Sequence, residues 1–137
     1  MRTSIGSLVL IAQLGIAGAV CSTESQAQTR APNIALKSGE SSELGNLYFV
    51  SNCKSVLTST PTVEILDGPP GVTVSIKEEM VMARAQKCAA PVKGGKLFVA
   101  AGDIQDQSVS TLTLRITYKT RDGERKLSQS YNLNLFP

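Results

Sequence analysis

Leu112–Leu133 (LTLRITYKTRDGERKLSQSYNL) contains two runs of alternating apolar and polar residues, one on each side of Asp122-Gly123. Such alternation is typical of β-strands with one buried face, and an Asp-Gly pair between two such runs predicts a two-residue hairpin turn. With this dipeptide at the centre of the turn, Leu114 faces Tyr131. A slip of one residue would pair apolar with polar positions, so the pattern and the turn both predict an antiparallel hairpin with one apolar face.

Alternating patterns recur along the chain after Pro32 and predict further short strands. The predicted strands are 33–37, 47–51, 62–66, 72–77 and 97–101, the last after a long loop. Short strands separated by Gly and Pro turns favour a single all-β domain over residues 33–137. Its predicted architecture is an immunoglobulin-like β-sandwich, with a small β-barrel as the alternative. The stretch Gly68–Val74 (GPPGVTV) resembles a strand entry of bacterial immunoglobulin-like domains.

Residues 1–27 have the three parts of a secretory signal peptide. Arg2 supplies a positive charge, residues 8–20 form an apolar run, and small residues end the segment at Ala27. The apolar run is shorter than the roughly 20 residues that a membrane-spanning helix needs. The sequence therefore predicts cleavage after Ala27, a periplasmic protein with no transmembrane segment after processing, and a flexible mature N-terminus over residues 28–32.

The three cysteines bear on both processing and redox state. Cys21 ends the apolar run, so a lipoprotein is an alternative, although Val20 stands where a small residue normally precedes a lipid-modified cysteine. Cleavage after Ala27 removes Cys21 and leaves Cys53 and Cys88. An even pair of cysteines in an exported domain predicts a disulfide bond.

The chain contains no histidine, and this narrows the chemistry that it can perform. Ser-His-Asp and Cys-His nucleophile systems need histidine, which is also the commonest metal ligand. The adjacent Glu78 and Glu79 would point to opposite faces of a strand, so we interpret them as solvated surface acids. The absence of Trp leaves few stacking surfaces for nucleic acid. We therefore expect a protein that is not an enzyme and that binds no cofactor, metal or nucleic acid.

Met80–Lys96 (MVMARAQKCAAPVKGGK) carries four cations and no acid. A bond between Cys53 and Cys88 would attach this segment to the β-core and bring Lys54 beside Lys87. Such a tethered basic loop is suited to an anionic partner, while a solvated connection kept soluble by lysines is the alternative. The candidate binding residues are Lys54, Arg84, Lys87, Lys93 and Lys96.

In size and build the chain resembles small disulfide-bonded periplasmic proteins of rhizobial-type Gram-negative bacteria, and it is similar to periplasmic inhibitors of lysozyme and other peptidoglycan hydrolases. One such inhibitor family carries a Ser-Gly-x-x-Tyr motif. Here Ser38–Ser42 (SGESS) lacks the tyrosine, and Gly45–Tyr48 (GNLY) lacks the preceding serine. The resemblance implies a non-enzymatic binding protein that contacts a periplasmic protein, such as a cell-wall hydrolase, or an anionic envelope component.

A structural or assembly module of the envelope is the alternative function. Such a module could use an open sheet edge to bind an added strand. The cations along Lys119–Lys126 are typical of a strand edge protected against such pairing.

Overall fold

The computed structural model describes residues 31–84 and 87–137, and these residues form nine β-strands. The strands are β1 (Asn33–Lys37), β2 (Ser41–Leu47), β3 (Val50–Ser51), β4 (Lys54–Ser55), β5 (Thr62–Asp67), β6 (Val72–Val81), β7 (Val92–Ala101), β8 (Ser108–Thr120) and β9 (Gly123–Phe136). The described residues contain no α-helix, which confirms the all-β prediction. The predicted leader and the residues that follow it up to residue 30 lie outside the described residues.

The strands form two larger sheets and one small hairpin. The first sheet has the order β1-β9-β8-β5, and the second has the order β2-β7-β6. β1 runs parallel to β9, whereas the other neighbouring strands are antiparallel. β3 and β4 form a separate two-stranded hairpin.

One hydrophobic core contains residues from both sheets. On β8 of the first sheet, Leu112, Leu114 and Ile116 are completely buried, and on β7 of the second sheet Leu97 and Val99 belong to the same cluster. These residues are spaced two apart along their strands, as expected when one face of each strand points inward. The alternation in the sequence therefore identified the core-facing side of β8 correctly.

The predicted register of the β8–β9 hairpin is wrong by two positions along β8. Tyr131 pairs with Leu112 rather than with Leu114, because the turn begins at Thr120, which pairs with Gly123. The Thr120 hydroxyl donates to the Gly123 carbonyl at 2.8 Å and accepts the Asp122 N–H at 3.3 Å. These bonds stabilise a turn that starts earlier than an Asp-Gly turn would. Since the shift is even, each side chain stays on its predicted face.

The apolar face of β9 is buried only in its second half. Leu133 is fully buried, whereas Leu127 is 50% exposed because β9 near the turn extends beyond the common core. Gln129, a polar residue on the apolar face, accepts a hydrogen bond of 2.6 Å from the Tyr131 hydroxyl.

The predicted strand 47–51 is wrong as a continuous element, since β2 ends at Leu47 and β3 begins at Val50. Leu47 and Phe49 pack with the main core, whereas Tyr48 and Val50 pack in a second hydrophobic cluster. Both faces of this stretch are apolar, as the consecutive apolar residues predict. The chain nevertheless leaves the second sheet after Leu47, because the two faces pack in two different clusters.

The predicted strand 97–101 begins five residues too late, and the predicted strand 72–77 ends too early. β7 starts at Val92 and β6 continues to Val81. Gly94 and Gly95 resemble a loop in the sequence, yet they lie within β7 between two paired strands. A Cβ at Gly94 would overlap the Leu47 carbonyl oxygen, so close approach of neighbouring atoms explains the glycine.

Candidate functional site

A disulfide bond joins the tip of the β3–β4 hairpin to the segment between β6 and β7. The Sγ atoms of Cys53 and Cys88 are 2.09 Å apart and their Cα atoms 5.5 Å apart, which confirms the predicted bond. Asn52 and Cys53 form the hairpin turn with φ angles of 51° and 59°. Positive φ at both central residues is the backbone of a type I′ turn, which matches the twist of a two-residue hairpin. The disulfide therefore attaches to a tightly turned, well-defined tip.

Beneath the disulfide lies a second hydrophobic cluster, separate from the main core. Val81 and Val92 pair directly across β6 and β7. On β6, Val81 lies an odd number of residues from the core residue Ile76, so its side chain is on the opposite face of the second sheet. The buried members of this second cluster are Val50, Val81, Ala83, Cys88 and Val92, with Tyr48 packed against them.

The segment after the hairpin is hydrogen-bonded to the end of β8. Arg121 donates its backbone N–H to the Val56 carbonyl at 3.2 Å, and Thr58 donates to the Lys119 carbonyl at 2.9 Å. On the other side, the Ser55 hydroxyl donates to the Lys93 carbonyl at 3.0 Å. The hairpin is thereby held against strands of both sheets at the same end of the molecule.

Four of the five candidate cations lie around this hairpin and are exposed. Lys54 directly follows Cys53, and Lys87 directly precedes Cys88. Lys93 lies near the start of β7. Arg84 is exposed in the segment that follows β6. We call these four residues and the hairpin between them the basic surface.

Lys96 does not belong to the basic surface. It lies within β7, and its side chain is 29% exposed. Its Nζ is 3.7 Å from Glu43 Oε1 and 3.9 Å from Glu79 Oε1. Glu43 lies on β2 and Glu79 on β6, the two strands that pair with β7. The sequence around Lys96 contains no acid, so it did not predict these ion pairs. Lys96 is compensated within the second sheet.

Arg121 is an additional cation that the sequence did not associate with the candidate site. A depression of about 450 Å³ is lined by Lys54, Arg121 and Asp122 together with residues of the β3–β4 hairpin. The sequence placed Arg121 among cations that protect a strand edge. Its contact with Val56 joins residues far apart in the chain, so no local signal could have placed it here.

A second cleft of about 290 Å³ opens beside the basic surface. Three hydroxyl-bearing residues line this cleft, namely Thr58, Ser59 and Thr60. Glu78 contributes a negative charge to the lining and Lys93 a positive one. Its lining provides hydroxyl groups and one opposed pair of charges, which suits a polar group better than an apolar one.

The opposite end of the molecule carries mainly acids. Glu40 precedes β2, Asp67 ends β5, and Asp103 and Asp106 lie between β7 and β8. Glu40 accepts a backbone hydrogen bond of 2.8 Å from Lys37, the cation at this end. The charges are therefore separated along the long direction of the strands, which orients the molecule in the field of a charged partner.

Two tyrosines have perturbed acidity in the main core. Burial raises the pKa of Tyr118 above its ordinary value of 10.0, and the neighbouring Tyr131 and Tyr48 raise it further. Burial also raises the pKa of Tyr131. The Tyr118 ring packs against Phe49, with ring centroids 5.8 Å apart. Both shifts favour the neutral phenol, as expected for tyrosines that serve as core residues.

The described part of the chain contains no group of three or more side chains arranged to hold a metal ion. Within residues 31–84 and 87–137, no helix has the length and apolar character needed to cross a membrane. No family model matches the chain, and comparisons with curated proteins and with solved structures find no match.

Proposed function

We propose that the protein is a non-enzymatic, periplasmic binding protein with an immunoglobulin-like β-sandwich fold. The observation that carries this proposal is the bond between Cys53 and Cys88, which holds Lys54 and Lys87 beside cysteines whose Cα atoms are 5.5 Å apart. Arg121 adds a further charge at the same end. A hairpin constrained in this way loses little conformational entropy on binding, so its cations are available to an anionic partner at low cost.

The strand order supports the immunoglobulin-like part of the proposal. Constant-type immunoglobulin domains pack a sheet containing strands B, E and D against a sheet of strands C, F and G. With β2 as strand B and β9 as strand G, the orders β2-β7-β6 and β9-β8-β5 follow that arrangement. The common core between the sheets supports a sandwich rather than a closed barrel.

The disulfide also supports export, because such bonds form and persist in oxidising compartments. We propose that residues 1–27 are removed as a signal peptide and that the mature protein begins at Gln28. Intact mass measurement of the protein recovered from the periplasm tests this step. The expected mass corresponds to residues 28–137 with no free thiol, and a lipid adduct on Cys21 or two alkylatable thiols would contradict it.

The partner that we propose is a peptidoglycan hydrolase, which the protein inhibits by presenting the basic surface to acidic groups near the enzyme's cleft. A net positive charge favours association with enzymes of low or negative charge rather than with strongly basic animal lysozymes. Attraction between exposed charges is screened by salt, so inhibition should weaken as ionic strength rises.

A lysis assay tests this function. We expect the purified, oxidised protein to slow clearing of a peptidoglycan suspension by a bacterial lytic hydrolase. The double variant Lys54→Glu/Lys87→Glu should lose at least tenfold in inhibitory potency. The control Lys37→Glu/Lys77→Glu changes the net charge equally but lies away from the basic surface, and it should keep the activity. Equal loss in both variants, or no inhibition by the unaltered protein, would reject the proposal.

An assembly module of the envelope is a second candidate function, and one observation favours it. β6 pairs with β7 alone among the described strands and leaves its other side open. An open edge of this kind can accept an added strand from another polypeptide.

A further inference from the structure

The open side of β6 is the longest regular strand edge among the described residues. β6 has ten residues that pair with β7 in an unbroken register from Val72 to Val81. It contains no proline, no glycine and no bulge. Proteins usually blunt an edge of this length, because a row of unpaired N–H and C=O groups is a template for pairing with another chain.

Among the other edge strands of the described structure, β1, β2 and β5 are blunted. Residues 124–131 of β9 lie beyond its pairing with β1 and leave a shorter open edge. β5 has a register shift between Ile65 and Asp67 and is followed by Pro69. β2 has a register shift at Gly45, and β1 has only five residues and follows Pro32. Bulges, prolines and short length each interfere with strand addition. β6 carries none of these three devices.

The hydrogen bonds of β7 show which groups of β6 are open. Ala101 donates its N–H to the Glu40 carbonyl at 2.8 Å and accepts the Gly39 N–H at 3.1 Å, so both of its groups point toward β2. The next residue, Gly102, donates to the Gly71 carbonyl at 2.7 Å on the side of β6. Backbone groups alternate along a strand, so the even-numbered residues of β7 are the ones that bond to β6.

Each even-numbered residue of β7 pairs with an odd-numbered residue of β6. The even-numbered residues of β6 must therefore direct their N–H and C=O groups away from β7. No described residue forms a backbone hydrogen bond with these groups. The residues with outward-directed groups are Val72, Val74, Ile76, Glu78 and Met80.

We propose that β6 pairs antiparallel with β6 of a second copy of this chain, with Ile76 opposite Ile76 on the two-fold axis. This register aligns residues 72–80 of both copies and joins the two second sheets into one six-stranded sheet. The five outward-directed residues of each copy then oppose one another and exchange about ten hydrogen bonds. The interface is isologous, so it closes as a dimer and leaves no further β6 edge.

The charges of β6 fit this register. Lys77 lies opposite Ser75, and Glu79 lies opposite Thr73, so no like charges face each other directly. If Lys77 lay on the two-fold axis, it would face Lys77 of the second copy. If Glu78 lay on the axis, it would face Glu78 of the second copy. Like charges directly opposite each other destabilise a strand pair. A register with Ser75 on the two-fold axis also avoids this repulsion, but it aligns only residues 72–78 of the two copies. Self-complementarity over the longest ladder is the reason that we assign the edge to a second copy.

Sedimentation equilibrium over a wide concentration range tests the dimer. The purified, disulfide-bonded protein should double in mass, and the dissociation constant should rise at least tenfold in Glu78→Pro. The Glu78 N–H points away from β7, so proline there removes an intermolecular donor without removing a bond to β7. The control Glu78→Ala keeps the N–H and should remain dimeric. A protein that is monomeric throughout, or equal dimerisation of Glu78→Pro and Glu78→Ala, would overturn the proposal.

Cysteine cross-linking tests the register independently of the proline variant. In the proposed dimer, residues 75 and 77 of different copies face each other as a non-hydrogen-bonded pair, with Cα atoms about 4.5 Å apart. That distance permits a disulfide. A mixture of the variants Ser75→Cys and Lys77→Cys should therefore form a covalent heterodimer under mild oxidation. Either variant cross-linking faster alone than in the mixture would overturn this register.

The inference extends the assembly candidate and does not require the basic surface. Lys54 and Lys87 lie near the disulfide, whereas the proposed ladder uses the open edge of β6. The Lys54→Glu/Lys87→Glu variant should therefore dimerise normally even if it fails to inhibit a hydrolase. Conversely, Met80→Pro removes another outward-directed N–H of β6 at a residue that lines neither cleft. It should weaken dimerisation and keep inhibitory activity, so the two proposals fail in distinguishable experiments.

Discussion

The two hydrophobic clusters of this molecule are stabilised in different ways. Among the described residues, the main core has fourteen buried members, supplied by both sheets through long ladders such as β8–β9. The second cluster has five buried members, and one of them is a disulfide cysteine. A small cluster under a two-residue hairpin buries too little apolar surface to offset the ordering of its own loops. The comparison indicates that the disulfide supplies stability at this end of the molecule that the small second cluster does not supply by apolar burial.

Removing the disulfide should produce the largest effect. The bond closes a loop with a sequence separation of 35. The chain-entropy treatment gives about 3.8 kcal/mol for a loop of this length. We expect Cys53→Ala/Cys88→Ala to lower the free energy of unfolding by about this amount in urea denaturation. Hydrogen exchange at Val50 and Ser55 should also become much faster, while Leu114 should exchange only through global unfolding.

The matched control for this experiment is Ser51→Ala, which lies in the same hairpin and leaves the bond intact. Its stability should change by less than about 0.5 kcal/mol. If the double cysteine variant kept both its stability and its protected hairpin amides, the second cluster would be self-sufficient and the comparison would fail.

Truncating one residue in each cluster should show a smaller difference. Leu114 is completely buried in the main core, so Leu114→Ala should cost about 3 kcal/mol through lost transfer energy and a cavity. Val92 is 5% exposed in the second cluster, and Val92→Ala should cost about 1–2 kcal/mol because fewer methyl groups are removed. Thermal and urea unfolding measure both values. Val109→Ala, at a site that is 74% exposed, is the control and should be nearly neutral. A larger loss for Val92→Ala would reverse the ranking of the two clusters.

The smallest expected effect is an alkaline loss of stability at Tyr118. Burial raises its pKa in the folded protein, whereas the unfolded chain loses this proton near the ordinary value of 10.0. The contribution is therefore fully present below pH 10 and is lost as pH rises, because the unfolded state binds fewer protons. Tyr118→Phe should flatten the dependence of stability on pH above 10.

Tyr48 allows this last prediction to probe contact between the clusters. Tyr48 packs against the second cluster, yet its electrostatic interaction with Tyr118 contributes to the raised pKa of Tyr118 in the main core. Tyr48→Phe should therefore lower the pKa of Tyr118 slightly in a spectrophotometric titration. An unchanged pKa of Tyr118 would indicate that Tyr48 does not interact with it electrostatically.

Several features of the fold could be predicted from local pattern. β1 has the predicted bounds, β5 differs by one residue, and the buried side of β8 is the predicted one. The disulfide was predicted from the even number of cysteines in a domain that the sequence predicts to be exported. The site was predicted less completely, because Lys54 and Lys87 do flank the disulfide but Lys96 is paired within the second sheet.

The sequence by itself determined the all-β class and the inward faces of the strands, since both depend on a two-residue period. It also predicted the disulfide, from the two cysteines that follow the predicted leader. The register of the β8–β9 hairpin depends on hydrogen bonds of Thr120 within the turn, which the Asp-Gly pattern did not reveal. Tertiary structure decided the break after Leu47, the strand interior at Gly94 and the position of Arg121. Each of these depends on atoms brought together from distant parts of the chain, such as the Val56 carbonyl that accepts the Arg121 N–H. Local alternation can show which side of a strand is apolar, but only packing decides which of two clusters that side will enter.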